Sequence, residues 1–199
     1  MSYPKHLRKL IAVFKRLPGV GTRTAERHAF QLLHWSPQQR NELAQAISAI
    51  EENILHCREC GCLSEKEGCH FCSDQRQSAE CICVVASPRD ACTIEETGTY
   101  RGMYHVLEGL LSPVEGIDVS QLRIDPLLDR IKKWGVKEVI LALDATLEGD
   151  ATALFLKEQL SLFSVKISRI AFGLPMGSAF DFIDGNTLAR AFQGRNLLT

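Results

Sequence analysis

Two Cys-x2-Cys pairs are the strongest chemical signal in the sequence. Eight residues separate the pair Cys57 and Cys60 from the pair Cys69 and Cys72. Each pair can place two thiolates around one ion from a single tight turn, and four thiolates complete the tetrahedron that zinc prefers. Four protein ligands leave no open position, so the predicted zinc ion is structural. The alternative is four reduced thiols or a redox pair, but a segment this polar cannot be held together by burial.

Four further cysteines lie outside these pairs. Cys81 and Cys83 alternate on a short apolar run typical of a buried strand, so we expect them to act as small hydrophobic residues. Cys62 and Cys92 have no predicted role. His56 and His70 adjoin the predicted ligands, but four cysteines make them unnecessary as metal ligands.

The length and composition describe an ordinary globular chain. It has 199 residues, of which 45% are hydrophobic and 24% charged, which excludes collagen-like, coiled-coil and disordered proteins. The sequence has neither an apolar run long enough to span a membrane nor the features of a signal peptide. We therefore expect a cytoplasmic protein without membrane contact. Disulfides are rare in that compartment, which favours metal binding by the paired cysteines.

A glycine-containing turn near the N-terminus predicts contact with nucleic acid. Leu17-Pro-Gly19-Val-Gly21 lies between two amphipathic helical patterns, as in a helix-hairpin-helix. Free backbone N–H groups at the start of the second helix can bind a DNA phosphate without sequence preference. Arg23 and Arg27 follow at i and i+4 on one helix face. An ordinary turn within a helical bundle is the alternative.

The charge distribution supports the nucleic-acid interpretation. Residues 1–40 carry a net charge of +7 and include Lys15 and Arg16 beside the turn, whereas the remaining residues sum to −8. A basic terminal segment on an otherwise acidic protein is typical of a protein that binds a polyanion through that segment. A solvated helix face is the alternative. Tyr100 and Tyr104 could stack on bases, although packing in the core is the favoured interpretation.

An acidic run follows the apolar stretch at 138–143. Asp144, Glu148 and Asp150 come directly after this predicted strand, where carboxylates commonly hold Mg²⁺. The arrangement resembles the Toprim domain of topoisomerases and primases, which holds metal with a first-strand glutamate and a later Asp-x-Asp. Ala86 stands at the glutamate position and Thr146 at that of the second aspartate, so metal-dependent cleavage is not favoured. Carboxylates that merely stabilise a helix start are the alternative.

Hydrophobic periodicity predicts three N-terminal helices and then alternating strands and helices. Helices are predicted through residues 7–14, 25–33 and from a Ser36-Pro37 start to about 54. Residues 57–72 show no helix or strand pattern. Beyond them we predict strands at 81–86, 104–107, 138–143 and 165–171, and helices at 122–134, 151–162 and 187–192.

These patterns define a multi-module α/β protein with a mostly parallel sheet. The predicted segments are a helix-hairpin-helix region at 1–54, a four-cysteine zinc module at 55–79, a Toprim-like domain at 80–172 and a C-terminal segment at 173–199.

The order of these modules resembles the RecR family of bacterial recombination mediators over essentially the whole chain. The match is carried by the paired cysteines together with LPGVGTRTAERHAFQLL (17–33), ETGTYRGMYHVLEGLLSPVEGI (96–117), EVILAL (138–143), TLEGDATA (146–153) and RIAFGLPMGSAFDFIDGNTLARAFQGR (169–195). The resemblance implies a protein that helps displace single-strand-binding protein so that RecA loads on gapped or single-stranded DNA. It also implies dimers that pair into a tetrameric ring, with subunit contacts made by the C-terminal segment at 173–199. Binding to RecO is implied as well, and binding to RecF in some lineages.

The resemblance also implies roles for individual residues. Arg23 and Arg27 match basic DNA-contact positions, the two Cys-x2-Cys pairs match zinc ligands, and Asp144 and Glu148 lie in the acidic region that binds partners. Ala86 departs from the usual glutamate, whose loss weakens any residual metal site. Asp144, where relatives often carry Asn, restores one acid.

We therefore predict a non-enzymatic mediator that binds single- and double-stranded DNA. The alternatives are a Mg²⁺-dependent Toprim nuclease or primase-like enzyme and a zinc adaptor that binds only proteins.

Overall fold

The computed structural model describes residues 3–66, 68–77, 80–171, 173–175 and 177–195. The chain divides into two compact units, Met1–Ile54 and Leu55–Thr199. The expected segment boundaries after 79 and 172 fall on residues outside the described ranges.

The first unit consists of three helices: α1 (Lys5–Phe14), α2 (Thr22–His34) and α3 (Pro37–Asn53). All three follow the predicted periodicity. Helix α3 begins where expected because Ser36 accepts a hydrogen bond from the Gln39 backbone N–H and the Gln39 side chain accepts one from the Ser36 backbone N–H. Helices α1 and α2 pack around a small core of Ile11, Ala25 and Ala29.

The second unit combines six strands with five helices in the described part of the chain. The strands are β1 (Leu55–His56), β2 (Leu63–Ser64), β3 (Cys81–Val85), β4 (Met103–Val106), β5 (Glu138–Ala142) and β6 (Lys166–Arg169), and the helices are α4 (Asp74–Gln77), α5 (Pro88–Glu96), α6 (Ile124–Trp134), α7 (Leu147–Leu160) and α8 (Gly185–Gln193).

A four-stranded sheet forms the centre of this unit. Its order is β4-β3-β5-β6, and all its strands are parallel. Side chains from both faces of β3 are buried, because alternate residues enter two different apolar clusters. Helices α6 and α7 cover one face, whereas α5 and the cysteine-rich segment cover the other.

The structure differs from the sequence predictions at several places. Within the segment without a predicted pattern, β2 pairs antiparallel with β1, and His70–Cys72 forms a 3-10 turn. Helix α5 is not predicted, although its Ser87-Pro88 start carries a capping box. Helix α7 begins four residues earlier than expected because Thr146 caps its first turn.

Candidate metal centre and nucleic-acid interface

The four paired cysteines come together as predicted. The sulfur atoms of Cys57 and Cys72 lie 3.8 Å apart and those of Cys60 and Cys69 3.5 Å apart. All four lie within 4.8 Å of one another. A tetrahedron with Zn–S bonds of about 2.3 Å has sulfur–sulfur edges of about 3.8 Å. The chemistry and spacing of the donors therefore fit a tetrahedrally coordinated metal ion.

Backbone hydrogen bonds shape the first cysteine turn. The Gly61 N–H donates to the Cys57 carbonyl, and the Cys57 N–H donates to the Cys62 carbonyl, both at 2.8 Å. Gly61 has φ of +77°, and a Cβ there would lie 2.9 Å from the Val106 Cβ. Glycine is required here both for the left-handed backbone and for close packing against β4.

Cys62 is a fifth, fully buried cysteine beside the four paired cysteines. The neighbouring Cys60 thiol and burial raise the pKa of the Cys62 thiol. The hydrogen bond with Cys60 likewise raises the pKa of Cys69 to about 12. Thiols packed this closely need a cation before all four ligands can ionise.

Two arginines attach the cysteine module to the sheet, and the sequence patterns identify neither. Arg123 donates to the Arg58 carbonyl at 2.6 Å in the first turn. The Val106 N–H of β4 donates to the Cys60 carbonyl at 2.7 Å. Near the second turn, Arg76 donates to the Gly102 carbonyl at 3.1 Å. The partners in these contacts lie far apart in the chain, so no sequence spacing predicts them.

Arg76 is the centre of a buried polar network. Only 6% of it is exposed, and its guanidinium forms an ion pair with Glu95. It lies 5.6 Å from the centre of the Phe71 ring and 5.9 Å from that of Tyr104. Burial opposes ionisation of Glu95, but its bonds to Arg76 and Tyr104 prevail and lower the pKa of the carboxyl group.

His105 is a fully buried histidine on β4 with both ring nitrogens engaged. Its Nε2 lies 2.7 Å from the Arg123 carbonyl, and its Nδ1 lies 3.3 Å from the Arg130 Nη1. The partners assign the proton to Nε2, because a carbonyl accepts and a guanidinium donates. Burial lowers the pKa of His105 to about 4 and keeps the imidazole neutral.

This buried imidazole predicts acid destabilisation. The folded-state pKa lies below the unfolded value, so the stabilisation is full above about pH 6.5 and is lost as the pH falls towards 4. Between pH 7.5 and 5.0, we expect the wild type to lose about 2 kcal/mol more unfolding free energy than His105→Gln. Urea unfolding at both pH values measures this. The exposed-site control His34→Gln should behave as the wild type, and equal losses in wild type and His105→Gln would contradict the prediction.

The N-terminal turn leaves a helix start accessible. Gly19 has φ of +75° and is exposed, and Gly21 is the N-cap of α2 without a side chain to cap it. Arg23 and Arg27 lie on one exposed face of this helix, and Lys15 and Arg16 are exposed beside the turn. Within the described residues, none of these four cations forms an ion pair with a carboxylate. The arrangement can bind an anion through backbone N–H groups and guanidinium groups together.

The acidic run lies at the carboxyl edge of the sheet. Asp144 is exposed and Glu148 is half-buried. Asp150 instead pairs with Arg169 at 2.7 Å and Arg190 at 2.8 Å, and these hydrogen bonds lower its pKa. In the part of the chain that the structure describes, only the cysteines form a group of three or more residues able to hold a metal.

The remaining predicted positions are distributed as follows. Ala86 follows the last residue of β3, at the same sheet edge as Asp144. Tyr104 is fully buried and Tyr100 packs edge-on against it at 5.0 Å between ring centres, which confirms the interpretation as packing aromatics. Among the described residues, no helix is long and apolar enough to span a membrane.

Comparison with known proteins supports this arrangement of modules. Models of the RecR helix-hairpin-helix, the Toprim domain and the RecR C-terminal region match residues 7–50, 80–171 and 173–196.

Relatives match over nearly the whole chain. A protein of Protochlamydia amoebophila is 51% identical over 196 residues, covering 98% of this chain and 99% of its own. Proteins of Chlamydia trachomatis serovar D and Chlamydia pneumoniae are 48% and 47% identical, each covering 98% of both chains. All three are named recombination protein RecR. With this identity along almost its entire length, the chain belongs to the RecR family of recombination proteins.

Proposed function

We propose that this chain is a non-enzymatic, DNA-binding mediator of recombinational repair. It acts with RecO, and with RecF where that partner is present, to load RecA on gapped or single-stranded DNA. The observation that carries the proposal is the uncapped start of α2 with four exposed, carboxylate-free cations around it. Family membership supports the recombination role.

The chemistry of this interface favours phosphate over bases. Backbone N–H groups at Gly19 and Gly21 present a positive dipole end, and Arg23 and Arg27 add two guanidinium groups from one face. Such contacts position the protein on the backbone of single- or double-stranded DNA without selecting a sequence. Several copies in a dimer or tetrameric ring contact many phosphates at once, so modest affinity per subunit becomes useful avidity.

The other modules have structural and partner-binding roles in this proposal. The four-cysteine centre holds zinc, which stabilises the fold and takes no part in chemistry because four thiolates occupy every ligand position. Asp144 and Glu148 present negative charge at the sheet edge to a basic partner such as RecO. The alanine at 86 and the threonine at 146 support a role without DNA cleavage, because a Toprim enzyme needs carboxylates at those positions.

DNA binding by the α2 face is testable by fluorescence polarisation. We expect Arg23→Ala/Arg27→Ala to bind labelled single-stranded and duplex DNA about tenfold more weakly than the wild type. The slope of log affinity against log salt should fall by about two, because two phosphate contacts are lost. Measurement at two salt concentrations, with and without RecO, gives both quantities.

A charge-matched variant provides the control. Arg89→Ala/Lys157→Ala removes two exposed cations from the second unit and should leave the affinity within about twofold of wild type. Equal losses in the two double variants would overturn the assignment of α2 as the interface. Absence of binding even with RecO would favour a protein-only adaptor, and metal-dependent nicking that Asp144→Asn abolishes would favour an enzyme.

A further inference from the structure

Arg130 is a buried arginine whose charge is not balanced by a carboxylate. It lies on α6, is 5% exposed, and forms no ion pair with Asp or Glu within the described residues. Its Nη1 donates to the Tyr104 carbonyl at 2.6 Å and to the His105 Nδ1 at 3.3 Å. Its Nε is buried without a hydrogen-bond partner. Neutral acceptors satisfy part of the guanidinium but leave its full positive charge inside the protein, which is costly.

The buried arginine adjoins the strand on which the cysteine module rests. Tyr104 and Val106 of β4 pack in one buried cluster with Cys60 and Cys62. The Val106 N–H donates to the Cys60 carbonyl, two residues along the strand from the carbonyl that Arg130 binds. One short strand therefore carries both the arginine and the first cysteine turn.

Two other arginines at this module already have carboxylate partners. Arg123 lies 3.5 Å from Glu108, and Arg76 is paired with Glu95. Zinc with four thiolates carries a net charge of minus two, and such a centre needs positive charge nearby when it is partly buried. Among the described residues, Arg130 is the buried arginine of this region without a carboxylate partner. Arg58, in the first cysteine turn, has none either, but it is exposed and solvent screens its charge.

We propose that Arg130 is the buried counter-cation of the four-cysteine metal centre and that its charge increases zinc affinity. The proposal rests on the assignment of zinc above. It accounts both for a buried cation without a carboxylate and for a dianionic centre that contacts the same strand, β4. Arg130 is a positioning and charge-balancing residue, not a metal ligand.

Two substitutions separate the charge of Arg130 from its hydrogen bonds. Arg130→Lys keeps the charge and loses the planar fork, whereas Arg130→Gln keeps a donor for the Tyr104 carbonyl and loses the charge. Zinc affinity is measured by competition with a chromophoric chelator, after metal analysis of the purified protein. We expect Arg130→Gln to bind zinc about 10- to 100-fold more weakly, and Arg130→Lys to stay within about threefold of the wild type.

Lys133→Gln is the matched control. Lys133 lies on the same helix and pairs with Glu59 of the first cysteine turn at 2.9 Å, but its side chain is 54% exposed and solvent screens its charge. This variant should change zinc affinity less than about twofold. The absorption of the cobalt-substituted proteins checks that all variants retain tetrahedral thiolate coordination.

The outcomes distinguish this proposal from the zinc assignment. Wild-type zinc affinity in a folded Arg130→Gln protein, or a loss in Arg130→Lys as large as in Arg130→Gln, would overturn the counter-ion role. If Arg130→Gln does not fold, Arg130→Met removes the same charge from a side chain of similar volume, and wild-type zinc affinity in that variant overturns the role. Wild-type protein purified without stoichiometric zinc would instead overturn the zinc assignment itself.

Discussion

Replacing Cys60 with serine should abolish zinc retention and unfold the cysteine module. Cys60 is a fully buried member of the four-thiol group, and serine is a poor ligand for zinc. Structural zinc sites contribute about 10–16 kcal/mol of binding free energy in small peptides, much of which is folding free energy. Because the module also packs on β4, we expect the second unit to lose about 5 kcal/mol and Tm to fall by roughly 10–20 °C. Metal analysis and thermal unfolding measure the two effects.

Cys92→Ser is the control for this experiment. Cys92 lies half-buried on α5, outside the four-thiol group. Its substitution should leave one zinc per chain and change Tm by less than about 4 °C. Wild-type metal content in Cys60→Ser would show that this residue is not a ligand. Chelation of zinc from the wild type should reproduce the behaviour of Cys60→Ser, because both remove the same cross-link between the cysteine turns.

Removal of the buried Arg76 side chain should give the second largest loss of stability. Arg76→Met leaves the partly buried carboxylate of Glu95 without its cation and removes the donor to the Gly102 carbonyl. Removing one member of such a pair lowers the free energy of unfolding by about 3–5 kcal/mol, because the remaining charge has no partner. We expect a loss of this size in urea unfolding at pH 7, with little change in the dependence of stability on urea concentration.

A double-variant cycle identifies the ion pair as the cause. Arg76→Met/Glu95→Gln removes both charges and keeps the Tyr104 hydroxyl as a partner for the amide. We expect this double variant to be more stable than Arg76→Met alone, because no unpaired charge remains. Strictly additive losses from the two substitutions would show that Arg76 acts through packing on Phe71 and Tyr104 instead.

Local patterns predict much of the fold because helix periodicity and short apolar runs act over a few residues. The three N-terminal helices and the four sheet strands follow from spacing and hydrophobicity alone. Helix α5 is missed because its apolar stripe is weak, although the Ser87-Pro88 start is a local signal that identifies it. The short β1–β2 pairing is missed because two-residue strands are too short to show alternation.

The module order and the four thiols of the candidate metal centre can be predicted from the sequence alone, because the spacing within each Cys-x2-Cys turn is a local property. The same holds for the cations that flank the N-terminal turn. In contrast, the positions of Arg76, Arg123 and Arg130 around the cysteine module emerge from folding, since their partners lie far away in the chain. The tertiary structure also gives the two aspartates different environments: Asp150 is paired with two arginines, whereas Asp144 is exposed. A buried charge is paired with a residue from whichever element packs nearby. The position of that partner therefore follows no regular spacing in the sequence.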